Sequence, residues 1–153
     1  MHVLNPNLID QLLEGEAWVV DFLPRRVPEA DAERYFDCER FLLMHPQVDA
    51  LFERFASVLL KLNCYYPFWV ACGVDGEWER EPAPSTVMRW VKQCAGLPDG
   101  STSPIGIVVG EGEGLAVVNG QDLYLSLFSP SPDVLALVEQ LATAEGLFVR
   151  RGA

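Results

Sequence analysis

With 153 residues, half of them hydrophobic and 22% charged, the chain is long enough to bury one core and too apolar to remain a disordered tail. Its 11 Lys and Arg face 22 Asp and Glu, and the resulting formal charge of −11 opposes binding to nucleic acid or anionic lipid, because phosphate contact needs clustered cations. No apolar run approaches the roughly 18 residues that span a bilayer.

The amino terminus, Met1-His2-Val3-Leu4-Asn5-Pro6, lacks the basic flank and apolar stretch of a secretory signal, so the expected compartment is the cytoplasm. Asn5 as cap and Pro6 at the first helical position open a helix with the stripe Leu8, Ile9, Leu12 and Leu13, stopped at Gly15. Ala17 to Leu23 is nearly all apolar, β-branched or aromatic, and reads as a buried strand ended by Pro24.

Ala30 to Met44 fits two periods. Tyr35, Cys38, Phe41 and Leu42 make a helical stripe, while Phe36, Cys38, Leu42 and Met44 alternate as in a strand. Its length favours helix. Pro46 opens a clearer helix, in which Val48, Leu51, Phe52, Phe55, Leu59 and Leu62 form one continuous apolar stripe.

Phe68 to Cys72 is a short strand candidate. Ser85 is the expected cap of a helix bearing Val87, Trp90, Val91 and Cys94, closed by Gly96 and Pro98, with a loop from Leu97 to Pro104. Ile105–Val109, Leu115–Val118 and Leu123–Phe128 read as an antiparallel meander, its second turn a tight hairpin at Asn119-Gly120. Ser131-Pro132-Asp133 caps a last helix facing inward with Val134, Leu137, Val138 and Leu141, and Leu147 to Arg150 returns as an edge strand. No repeat or linker divides the chain. Hairpins without β-α-β alternation predict one α+β domain over residues 1–153, an antiparallel or mixed sheet with helices packed on it.

Motifs that carry chemistry are scarce. Gly110-Glu111-Gly112-Glu113-Gly114 precedes a strand and holds two carboxylates, which suits a hairpin turn and not a phosphate cradle. Cys38, Cys64, Cys72 and Cys94 are isolated in apolar segments without a C-x-x-C pair, and read as reduced, buried small hydrophobes. The histidines are His2 and His45, so Cys38 with His45 is the one nearby thiol–imidazole pair. Metal-ligand spacing is absent, and no metal or cofactor is expected.

Four residues remain as catalytic candidates: Asp21, Asp37, Glu39 and His45. Asp37 and Glu39 would share a face on a strand but diverge by about 200° on a helix. Asp21 lies inside an apolar strand, where a carboxylate needs a partner, with Arg25, Arg26 or a helix N-terminus as candidates. Tyr65, Tyr66, Phe68 and Trp69 gather four aromatics at a helix exit and are the candidate binding surface, with Glu77, Glu79 and Glu81 expected beside them. The favoured expectation is an adaptor or immunity-like protein that binds a basic protein. The alternatives are a small hydrolase or transferase using those carboxylates in a cleft, and a structural homodimer with Tyr65–Trp69 on its two-fold axis.

Overall fold

The computed structural model describes residues 4–73, 76–94, 104–120 and 122–152. In chain order its elements are α1 (Pro6–Leu13), β1 (Ala17–Asp21), α2 (Ala32–Met44), α3 (Val48–Asn63), β2 (Phe68–Cys72), β3 (Glu79–Arg80), α4 (Pro84–Cys94), β4 (Ile105–Val109), β5 (Gly114–Val118), β6 (Tyr124–Phe128), α5 (Pro132–Ala144) and β7 (Phe148–Arg151). A 3-10 turn, Glu29–Asp31, leads into α2.

Local signals account for most helix starts. The Asn5 side chain accepts from the Asn7 N–H at 3.0 Å, and the Ser131 hydroxyl accepts from the Val134 N–H at 3.2 Å. Each satisfies an orphan donor of a helix first turn. Ser85 is not a cap, since α4 begins one residue earlier with Pro84 at its first position. Pro84 has no N–H to leave unsatisfied there.

All seven strands form one antiparallel sheet in the order β3-β2-β4-β5-β6-β1-β7. The meander β4-β5-β6 is its centre. The expected two-residue turn at Asn119-Gly120 is absent, because Val118 pairs with Leu125 and the connection is wider, closed in part by Asp122 N–H donating to the Asn119 carbonyl. Gly120 has another role. A Cβ on it would stand 1.9 Å from the carbonyl oxygen of Cys94, so the turn lies against the end of α4 at a distance only glycine permits.

Strand alternation sends successive side chains to opposite faces. On one face Phe68, Val70, Ile105, Ile107, Val109, Ala116 and Val118 meet Phe52, Phe55 and Leu59 of α3, Val87 and Val91 of α4, and Val134 and Val138 of α5. The rings of Phe52 and Phe55 cross edge to face with centroids 5.5 Å apart. Leu51, Phe55, Leu59 and Leu62 are all buried, as the sequence predicts. On the other face α1 packs Leu12 against Trp69, Val108 and Leu115. The fold is a single α+β domain whose antiparallel sheet carries helices on both sides.

β1 stops at Asp21 instead of running to Leu23, and the short edge strand β3 has no counterpart in the sequence reading. The expected helix closure at Gly96 and Pro98, and all but Pro104 of the loop at 97–104, lie outside the described residues. Among the described residues, no helix is long and apolar enough to cross a membrane.

Candidate functional site

Residues 32–44 form a helix, and at about 100° per residue its side chains divide into two stripes. Tyr35, Glu39, Leu42 and Leu43 face inward, Leu42 and Leu43 against the main core. Phe36, Asp37, Arg40, Phe41 and Met44 face outward. The sequence reading placed Cys38 and Phe41 on the buried stripe, but both are exposed. The inward stripe is half polar, and no residue of the helix is fully buried. A mixed polar and apolar inner stripe gives no clean period, which is why helix and strand competed in the sequence.

The polar part of that inner face meets the end of β1. Asp21 is 2% exposed, opposite Tyr124 in the β1–β6 register. Arg150 donates to its Oδ2 from Nε at 3.2 Å and from Nη2 at 2.8 Å, while the Leu23 N–H donates to Oδ1 at 3.3 Å. The sequence points to Arg25, Arg26 or a helix N-terminus as the partner of Asp21; the structure gives it Arg150 instead. The β1–β7 register sets Arg150 opposite Val19, one diagonal step from Asp21 on the same sheet face.

Beside this pair, Tyr35 donates its hydroxyl proton to Glu39 Oε2 at 3.0 Å. Burial pushes the Glu39 carboxyl above its ordinary value; the Tyr35 bond pulls it down, and the nearby carboxylates of Asp122 and Asp21 push it up again. Burial also raises Asp122, and both tyrosines titrate above their usual range, chiefly through burial. The site thus gathers Asp21, Glu39 and Asp122 with Tyr35, Tyr124 and Arg150. Of these, the sequence reading named Asp21 and Glu39. Tyr35 passed as a core aromatic, and the others become neighbours of Asp21 only through strand pairing.

The remaining catalytic candidates stand on the opposite side of α2. Asp37 and His45 line a shallow depression of about 320 Å³ with Arg40, Phe41, Met44 and Pro46. His45 is a capping residue, its Nδ1 accepting from the Gln47 N–H at 3.1 Å just before α3, and its ring lies tilted on Phe41 with centroids 5.3 Å apart. Asp37 and Glu39 point apart, so no carboxylate pair forms on one face.

The aromatic segment after α3 is mostly interior. Phe68 lies in the main core and Trp69 in the second, with the Arg80 guanidinium 5.4 Å from the Trp69 ring centroid. Tyr66 is half-buried and Tyr65 exposed. Glu79 and Glu81 do lie beside this segment, Glu79 opposite Val70 and Glu81 N–H on the Phe68 carbonyl. With Phe68 and Trp69 turned inward, those carboxylates border a backbone edge and not an aromatic surface. Among the described residues no group of three His, Cys, Asp or Glu side chains is arranged to hold a metal ion. No protein family, no curated protein and no solved structure is found to match the chain.

Proposed function

We propose that the chain is a cytoplasmic binding protein that takes a basic protein partner on the outer face of α2. One observation carries this reading. Phe36, Phe41 and Met44 are 55%, 65% and 83% exposed on one side of a single helix, half of the large exposed apolar side chains among the described residues. Scattered exposed apolar residues are ordinary, but three large ones on one helix, Phe41 and Met44 lining one depression and Phe36 bordering the next, supply the residue types from which interface cores are built.

Charge supports the choice of partner. Beyond the ion pairs Arg34–Asp31 and Arg40–Asp37, and with Glu39 turned inward, the segment 29–44 adds Glu29 and Glu33 to a chain of net charge −11. Such a field steers a basic partner to the patch, while the apolar stripe holds it. The hydrolase or transferase alternative has less support, because Asp21 is engaged by Arg150 and Asp37 and His45 stand across the helix from Glu39. The homodimer alternative has lost Phe68 and Trp69 to the interior.

The test is comparative affinity capture from the native cell lysate at low salt, using the wild-type chain and a Phe36→Ser/Phe41→Ser/Met44→Ser variant. A basic protein held by the first and lost by the second supports the reading, and its association should slow as salt rises. Capture that is equal for both proteins, or a variant that differs only by losing a homodimer in sedimentation equilibrium, overturns it.

A further inference from the structure

The loop that carries the chain from β1 to the 3-10 turn lines one side of a half-open cavity of about 740 Å³. That volume lies in the range of small-molecule sites, which are typically apolar with a few converging polar groups. Its apolar lining comes from Leu23, Val27, Pro28, Ala32 and Phe36. Pro24 and Pro28 bracket the loop and limit its freedom, each ring fixing one backbone angle.

The polar groups at this cavity are unusual for so acidic a chain. Arg25 and Arg26 both line it, and among the described residues neither makes an ion pair or a hydrogen bond. Arg150, another lining residue, spends Nε and Nη2 on Asp21 and makes no further hydrogen bond among the described residues. The Tyr124 hydroxyl, also in the lining, has no bonding partner there either. Within the lining Asp21 and Arg150 cancel in charge and Arg25 and Arg26 outnumber Glu29, while Glu39 and Asp122 stand beside Tyr35 and Tyr124 outside it. Two adjacent arginines without an acidic partner among the described residues stand out in a chain with twice as many acids as bases, and the guanidinium fork matches carboxylate and phosphate oxygens.

We infer that this cavity is a binding site for a small organic anion, a carboxylate or phosphate attached to an apolar or aromatic body. Arg25 and Arg26 hold the anionic group at the mouth. The body lies against Leu23, Val27 and Phe36, and the Tyr124 hydroxyl and the remaining Arg150 N–H groups orient it. The site is separate from the outward face of α2, although Phe36 borders both.

The experiment is a titration followed by NMR of the Arg side-chain N–H and Tyr ring signals, with benzoate, phenyl phosphate, inorganic phosphate and neutral benzyl alcohol as probes. Saturable binding of benzoate or phenyl phosphate is expected, at least tenfold tighter than benzyl alcohol. An Arg25→Ala/Arg26→Ala variant should weaken that binding at least tenfold while keeping the wild-type melting temperature, since both side chains are exposed. Preference for benzoate over phenyl phosphate, or the reverse, identifies the anionic group. Inorganic phosphate binding as tightly as phenyl phosphate would mean that the apolar lining contributes nothing and would overturn the proposal. So would equal binding of benzyl alcohol, no saturable binding of either organic anion, or indifference to the double substitution. None of these outcomes bears on capture by α2, which is tested with other variants.

Discussion

Arg150 grips Asp21 from two nitrogens across 129 residues of sequence, and by doing so ties the edge strand β7 to the buried end of β1. The Asp21 carboxylate has one oxygen on that guanidinium and the other on the Leu23 backbone N–H, so the buried charge is fully satisfied. Removing one partner leaves an uncompensated charge, which is far costlier than losing both. Arg150→Ala should therefore destabilise the fold by about 3 kcal/mol. An Asp21→Leu/Arg150→Leu double variant should recover much of that loss. Urea denaturation of Asp21→Leu, Arg150→Leu and the double closes the cycle, and a cost below about 0.5 kcal/mol for Arg150→Ala would show the pair to be solvent-screened.

Glu39 and Asp122 give the fold a pH dependence of definite sign. Burial raises both carboxyls, so the folded chain holds their protons more tightly than the unfolded chain does. Stability from this source is present below the ordinary carboxyl value and is lost as pH rises through the raised folded value. Glu39→Gln and Asp122→Asn should each leave stability at about pH 3 almost unchanged and increase it at about pH 7. Urea midpoints at the two pH values decide it. Variants less stable than wild type at pH 7 would contradict the assignment.

The four thiols should separate by access. Cys38 and Cys64 are exposed, Cys72 is half-buried, and Cys94 is buried with its thiol pushed up to about 12, chiefly by burial. An aromatic disulfide reagent at neutral pH should modify Cys38 and Cys64 rapidly and Cys94 last, because the thiolate is the reactive form. Denaturation without reductant should release all four. Rapid native reaction of Cys94, followed by peptide mapping, would contradict its position in the core.

Gly120 carries a sharper steric requirement than its place in a turn suggests. Gly120→Ala sets a methyl group 1.9 Å from the Cys94 carbonyl oxygen, and the backbone of α4 or of the turn must move. The expected cost is about 1–3 kcal/mol, as for other overpacked sites. A melting temperature equal to that of wild type would show that the contact relaxes freely.

What the sequence determined by itself is whatever a local period or cap encodes. The stripe from Val48 to Leu62, the caps at Asn5 and Ser131, the meander and the edge strand at the carboxyl end all formed where their residues called for them. Asp21 likewise marked itself as needing a partner, because a carboxylate among apolar residues is costly wherever the strand lies. The partner, however, was decided by the order of the sheet. Only the placement of β1 between β6 and β7 brings Tyr124 and Arg150 to Asp21, and no spacing along the chain encodes a contact made through strand pairing. The same holds for Phe68 and Trp69. Their composition suits an interface or a core equally, and it was the helices closing over both faces of the sheet that buried them, while leaving Phe36, Phe41 and Met44 in water.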